Sequence, residues 1–161
     1  MIPVKLGDIL AYEGERGPEA IVCLVSEDGR SLPIWIGRFE GLSLALNRVL
    51  NSDELIRPLT YDMVVNMLAE LGVQVSQVVI NALQDTTFYA TIHLAVGQDQ
   101  HEIDARPSDA INVAIRTGAP LYVTSDVMKA IGREPSRVPL EELQPLELPE
   151  AILQLRKSQS E

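Results

Sequence analysis

The first third of the chain alternates between apolar runs and short polar turns. Residues 1–12 are largely apolar, residues 13–18 hold two glycines among polar side chains, and residues 20–25 form a continuous apolar run of strand length. This pattern predicts a β-hairpin. Residues 32–36 predict a third strand. Its Pro33 favours the edge of a sheet, because proline has no amide hydrogen to donate to a neighbouring strand.

Apolar residues then recur at helical spacing in three segments. Residues 38–50 predict a helix with a polar stripe of Glu40, Ser43 and Asn47. A second helix is predicted from Thr60, a suitable N-cap, to the stop at Gly72. Its expected inward face is Met63, Val64, Met67, Leu68 and Leu71. A third helix is predicted to begin at Pro107, with Ile111, Ala114 and Ile115 opposite Asp109, Asn112 and Arg116.

Strand patterns fill the remainder of the compact part. Residues 73–83 and 87–96 predict an antiparallel hairpin with a bulge near Ser76 and Gln77, where the apolar phase shifts. Further strands are predicted at 101–105 and 120–123, with a helix at 124–131. We therefore expect one compact α+β domain over residues 1–132, with helices packed against a mixed, mainly antiparallel sheet. Residues 133–161 read as a C-terminal extension, partly helical or disordered.

Length and charge narrow the classes of function. A chain of 161 residues suits one domain. Its net charge of −10 opposes long-range attraction to nucleic acid or membranes, although ten of its 13 basic residues are arginines and could form a local basic patch. Lys5 and Asp8 interrupt the apolar N-terminus, and no apolar run is long enough to span a bilayer. We expect a soluble cytoplasmic protein, with Cys23 as a buried strand residue.

Four carboxylates lie at element boundaries or on polar helix stripes, namely Glu40, Asp62, Asp104 and Asp109. Hard oxygen donors of this kind suit Mg²⁺ or Mn²⁺. Such an ion polarises a phosphate and activates water, so these residues are candidate metal ligands in phosphodiester cleavage. A structural alternative is open for Asp62 and Asp109, because a carboxylate in the first turn of a helix stabilises the helix dipole.

Two proline-containing turns concentrate polar groups. The first, residues 104–109, places Arg106 and Ser108 at the N-terminus of a helix, where a phosphate can bind; alternatively, Arg106 only pairs with Asp104 or Asp109. The second, residues 57–62, offers Arg57, Thr60 and Tyr61 as substrate contacts. Tyr61 could donate a proton, stack on a base or lie in a subunit contact. His93 and His101 could face each other across strands, but with no third histidine they predict no zinc site.

The four segments 32–37 with Glu40, 57–62, 87–90 and 104–110 resemble, in order and spacing, the signature blocks of the bifunctional nuclease family. The resemblance covers residues 4–131. It implies a compact α+β fold, homo-oligomers and, as reported for plant relatives, degradation of both RNA and DNA. Tyr61 departs from the pattern, because many members have a histidine there; no role of that histidine is carried over.

Two main hypotheses follow. The first is a divalent-metal-dependent nuclease acting on RNA and DNA, in which Asp104 and Asp109 bind metal with Glu40 or Asp62, and Arg106 contacts phosphate. The second is a non-catalytic oligomeric module, dimer or trimer, that binds a small anionic ligand or a protein partner through the same turns. The charge of −10 favours the second. A third possibility is that these residues only cap helices and bridge subunits.

Overall fold

The computed structural model describes residues 1–131 and 139–158. Within them, seven strands form one sheet: β1 (Ile2–Gly14), β2 (Gly17–Ser26), β3 (Ser31–Gly37), β4 (Val73–Gln84), β5 (Thr87–Val96), β6 (Asp99–Ala105) and β7 (Leu121–Val123). The α-helices of these residues are α1 (Arg38–Val49), α2 (Thr60–Glu70), α3 (Pro107–Thr117), α4 (Ser125–Ile131) and α5 (Glu150–Leu153). None of these helices has the length and apolar character needed to cross a membrane.

The sheet consists of two antiparallel meanders joined by a short central strand. The strand order is β3-β2-β1-β7-β4-β5-β6. β7 pairs antiparallel with β1, placing Val123 opposite Ile2, and parallel with β4, placing Val123 opposite Ile80. The predicted mixed, mainly antiparallel α+β fold is thus confirmed, as is the bulge of β4 between Val75 and Gln77. β3, which holds Pro33, is an edge strand as expected.

β2 is continuously apolar because both of its faces are covered. Val22 and Leu24 enter the main core together with α1 and α3, whereas Ile21 and Cys23 pack on the opposite face beneath Leu140 and Leu143. Period-two alternation is expected only where one face of a strand meets water. The second cover comes from the C-terminal extension.

The described part of that extension packs against the sheet. The amide of Ala11 donates to the carbonyl of Gln144 at 2.9 Å, the amide of Leu146 donates to Ile9 at 2.8 Å, and Leu146 is only 7% exposed. α5 spans four residues, and beyond it Arg156 forms an antiparallel bridge with Leu55. The proposed domain boundary at 132 lies outside the described residues.

The orientation predicted for α2 is wrong for three of its five residues, because only Val64 and Leu68 are half-buried. Met63, Met67 and Leu71 are 49%, 52% and 74% exposed, and Asp62 is the buried residue of this helix. Periodicity reveals an apolar stripe but not which side of a helix the fold covers. Here α2 packs against α3 through its polar N-terminal corner. Thr60 is the first helical residue rather than the N-cap, and the amide of Leu59 donates instead to the carboxylate of Asp62 at 2.9 Å.

Close packing of α1 on β2 depends on Gly41. A Cβ atom at this position would lie 2.6 Å from the Cβ of Ala20 and 3.1 Å from Cδ2 of Leu146. We expect Gly41→Ala to lower the melting temperature. Overpacking costs about 1–3 kcal/mol, which exceeds the gain of about 1 kcal/mol from helix propensity. Thermal unfolding followed by circular dichroism measures the change. Asn47→Ala, at a partly exposed position of the same helix, is the control; a higher melting temperature for Gly41→Ala would mean that α1 has room to shift.

Candidate functional site

A polar cluster of Glu40, Arg106 and Asp109 lies where α1 and α3 begin. The guanidinium of Arg106 donates from Nε to Oδ2 of Asp109 at 2.7 Å and from Nη2 to Oδ1 of Asp109 at 2.9 Å. Nη2 also contacts Oε1 of Glu40 at 3.1 Å. The side chain of Arg106 is 65% exposed, whereas that of Glu40 is 19% exposed. Two carboxylates therefore fix a guanidinium at the protein surface. We call these three residues the Arg106 cluster.

Local sequence explains how the cluster forms. Pro107 occupies the first turn of α3, so Arg106 is the extended N-cap residue, three positions before Asp109. α1 starts directly after β3, which puts Glu40 in its first turn. The fully buried amide of Asn112 ties the two helices together by donating to the carbonyls of Glu40 at 3.3 Å and Ser108 at 2.9 Å.

Tyr61 connects α2 to the cluster. Its hydroxyl donates to Oδ1 of Asp109 at 2.6 Å, and the guanidinium carbon of Arg116 lies 5.4 Å from the centre of its ring. Burial, followed by the hydrogen bond to Asp109, raises the pKa of Tyr61 above its ordinary value. Tyr61 is therefore protonated at neutral pH and acts as a hydrogen-bond donor to Asp109.

A buried ion pair connects α2 and α3. Nε of Arg116 lies 3.0 Å from Oδ1 of Asp62, with side-chain exposures of 3% and 1%. The hydroxyl of Ser52 also donates to Asp62. Arg116 donates further to Oδ1 of Asn112 at 2.8 Å and to Oγ of Ser43 at 3.0 Å. Both charges are thus saturated with hydrogen bonds, as buried ions require.

Asp109 and Asp62 are both ionised at neutral pH. Burial by itself would raise the pKa of Asp109, but hydrogen bonds from Arg106 and Tyr61 outweigh burial and lower it. Burial is likewise outweighed at Asp62, whose pKa is lowered by hydrogen bonds from Ser52, the amide of Leu59 and Arg116. Hydrogen bonds to Asp109 raise the pKa of Arg106. Arg106 and Asp109 thus form a charged pair at neutral pH.

The structure brings together only some of the residues singled out in the sequence. Glu40, Arg106, Asp109 and Tyr61 meet, and Arg106 takes Asp109 and Glu40 as partners rather than Asp104. The other candidate residues do not contact the Arg106 cluster through their side chains. Asp104 on β6, Arg57 and Thr60 are exposed, and Ser108 is buried. Asp62 forms its ion pair with Arg116 instead. The two histidines do not face each other, because His93 is opposite Glu102 and His101 is opposite Leu94.

The donor set does not form a ready metal site. Within residues 1–131 and 139–158, no group of three or more His, Cys, Asp or Glu side chains is arranged to hold an ion. An ion at Glu40 and Asp109 would compete with Arg106 for oxygens that already accept its hydrogen bonds. The requirement for Mg²⁺ or Mn²⁺ stays a prediction from the sequence.

Sequence reasoning missed Arg116 and Ser52 as supporting residues. The signal for Arg116 was present: Asp109, Asn112 and Arg116 share one face of α3 at helical spacing. That face was interpreted as turned away from the packed side of the helix. In the structure it packs against α1 and α2, so Asn112 and Arg116 are buried. Nothing in the local sequence of Ser52 indicates its contact with Asp62, ten positions away.

Comparisons with known proteins agree with the motif blocks. Residues 22–136 match the family model of the bifunctional nuclease domain. An uncharacterized protein of Mycobacterium tuberculosis is 39% identical over 103 residues, which cover 64% of this chain and 60% of the relative. Bifunctional nuclease 2 of Arabidopsis thaliana is 30% identical over 122 residues, covering 71% and 37%, and bifunctional nuclease 1 of Oryza sativa subsp. japonica is 32% identical over 112 residues, covering 68% and 34%. The chain thus spans three-fifths of the mycobacterial relative and little more than a third of the plant proteins.

Proposed function

Because the chain belongs to the bifunctional nuclease domain family, we propose that it hydrolyses phosphodiester bonds of RNA and DNA at the Arg106 cluster. One observation carries the assignment to this place: the guanidinium of Arg106 is 65% exposed yet held by two carboxylates. A planar, oriented guanidinium matches the oxygens of a phosphate. Within the part of the chain that the structure describes, its Nη1 has no acceptor, which leaves donors free for a substrate.

The hydrogen-bond pattern assigns different roles to the two carboxylates. Asp109 accepts three hydrogen bonds, from two nitrogens of Arg106 and from Tyr61, so it is suited to orienting rather than to accepting a proton. Glu40 accepts a hydrogen bond from Arg106 through Oε1 alone. We assign Glu40 as the general base that takes a proton from the attacking water. The water oxygen bonds to phosphorus, the bond to the leaving oxygen breaks, and the leaving oxygen takes a proton from solvent.

Cleavage of labelled single-stranded RNA and DNA by purified protein tests the proposal. Arg106→Gln should lower the rate about 100- to 1,000-fold, the usual effect of removing a donor that stabilises developing charge. Arg30→Gln is the matched control, because Arg30 is also an exposed arginine paired with an aspartate, 2.7 Å from Asp28 in the turn between β2 and β3. Each protein is assayed with Mg²⁺, with Mn²⁺ and with EDTA, which tests the metal dependence predicted from the sequence.

Equal rates for the wild type and Arg106→Gln would contradict the assignment and indicate a contaminating nuclease. Loss of cleavage in EDTA, with both variants folded, would make a metal part of the mechanism and require carboxylates to be released from Arg106.

Arg57 and Thr60, both exposed, remain predicted substrate contacts.

A non-catalytic anion- or partner-binding module is the second candidate. One observation favours it: the positive charge of Arg106 is offset by two carboxylates in a chain of net charge −10. In that case phosphate or a mononucleotide would bind without being cleaved, and Arg106→Gln would abolish the heat of binding. Assembly into a dimer or trimer stays a prediction; Met67 and Leu71 offer exposed apolar surface for it on and just beyond α2.

A further inference from the structure

An apolar groove lies beside the Arg106 cluster. Its volume is about 540 Å³, within the range of small-molecule sites in proteins. Its lining comes from α1, from the segment that enters α2, and from the C-terminal segment. The side chains that the argument uses are Phe39, Leu46, Tyr61, Met63, Ile152 and Leu155.

Phe39 is the most exposed large apolar side chain at this groove. It is 83% exposed and directly precedes Glu40 in α1. An exposed aromatic ring next to a polar site provides a face on which a flat ligand can stack. The ring contributes little to the core, so its removal should leave the fold intact.

Tyr61 belongs both to the groove and to the Arg106 cluster. Its side chain lines the groove, and its hydroxyl contacts Oδ1 of Asp109, the same oxygen that accepts from Nη2 of Arg106. A ligand with a flat part in the groove and an anionic part attached to it could therefore reach Arg106. Among the described residues, the lining of the groove includes no charged side chain. Moving a charged phosphate from water into this apolar lining would be costly, whereas the aromatic face of a base would be stabilised there.

We propose that this groove binds an unpaired nucleobase of single-stranded nucleic acid while the adjoining phosphate contacts Arg106. The inference rests on the proposed function, because both use the same phosphate position. It makes Phe39 a specificity-determining residue. It also assigns single strands as the substrate class, since a base inside a duplex is stacked and paired and would first have to leave the helix.

The test compares binding of fluorescent DNA strands in which phosphorothioate linkages slow hydrolysis. Three probes carry the same number of phosphates per strand: an intact single strand, the same strand with its bases removed, and the intact strand annealed to its complement. The wild type should bind the intact single strand about tenfold more tightly than the abasic strand, in line with stacking of one base. Duplex should also bind more weakly.

Phe39→Ala should abolish this preference by weakening only the binding of the intact strand. Val49→Ala is the matched control, because Val49 is a 52% exposed apolar residue of the same helix that does not line the groove. Equal affinities of the wild type for intact and abasic strands would overturn the inference whatever the variants do. An oligomer that dissociates in Phe39→Ala, with unchanged affinity for DNA, would also overturn it by identifying a second copy as the occupant.

The two proposals fail separately in these assays. A base preference that depends on Phe39, in a protein that cleaves nothing, would reject the nuclease and retain the groove as a base site. Cleavage that depends on Arg106, with no base preference, would retain the nuclease and reject the groove.

Discussion

Asp62→Asn should lower the free energy of unfolding by about 3–5 kcal/mol, because it leaves the buried guanidinium of Arg116 without its counter-charge. The side chains of this pair are 1% and 3% exposed, so water cannot replace the lost partner. Urea unfolding at neutral pH measures the loss. Arg116→Met should be destabilising for the reciprocal reason, since it leaves the buried carboxylate of Asp62 without its counter-charge.

A double variant tests whether the loss of stability comes from leaving one buried charge without its partner. Asp62→Leu combined with Arg116→Met should be more stable than the less stable of the single variants Asp62→Leu and Arg116→Met, because no unpaired charge stays buried. Glu54→Gln is the control, since it removes an exposed pair with Arg156 at 3.3 Å and should leave the unfolding midpoint nearly unchanged. Small effects in both single variants would mean that the pair contributes little to the fold.

The contribution of the Asp62–Arg116 pair to the free energy of unfolding depends on pH. The pKa of Asp62 is lowered in the folded protein, so its contribution is complete above the unfolded aspartate pKa of about 3.9 and is lost as the pH falls through the folded value. The difference in unfolding free energy between the wild type and Asp62→Asn should therefore narrow below about pH 4. A constant difference down to pH 3 would contradict the assignment of the ion pair as its source.

Asp109→Asn should reduce cleavage about 100-fold, the usual effect of misplacing a group that contacts the substrate, while the melting temperature changes little. The asparagine keeps the shape of the side chain, but it removes the charge that orients Arg106 and replaces one acceptor oxygen. Loss of a first-turn carboxylate costs only about 0.3–1 kcal/mol. Steady-state cleavage of labelled RNA and thermal unfolding of the same preparations measure the two effects.

Two further aspartates serve as comparisons. Asp126→Asn removes an exposed first-turn carboxylate from α4 and should leave cleavage unchanged. Asp104→Asn distinguishes two mechanisms. A metal held by Asp104 and Asp109 predicts equal losses for the two variants, whereas catalysis centred on Arg106 predicts a large loss for Asp109→Asn alone. Wild-type activity in Asp109→Asn would remove this residue from the mechanism.

Local signals in the sequence were sufficient to predict those features in which a residue interacts with its neighbours in the chain. Pro107 followed by Asp109 specifies the start of α3, and the pairing of Arg106 with Asp109 spans three positions. The apolar run of β2 indicated a strand in the same way. Such features depend on propensity and spacing, which a single sequence contains.

Long-range partners could not be deduced in the same way. Glu40 is 66 positions from Arg106, and Asp62 is 54 positions from Arg116. The sequence indicated carboxylates that could converge on a metal. It could not indicate that Arg106 would also contact Glu40 or that Arg116 would pair with Asp62, because these contacts depend on how three helices pack. The exposed stripe of α2 was misassigned for the same reason.

The short strand β7 has a consequence for the order in which the chain can fold. Residues 2–4 pair with residues 121–123, and the same three residues of β7 pair with β4. Each meander can form from neighbouring segments, but the sheet cannot become continuous until residue 123 is available. During synthesis, the first strand must therefore wait with one edge unpaired until most of the polypeptide has left the ribosome.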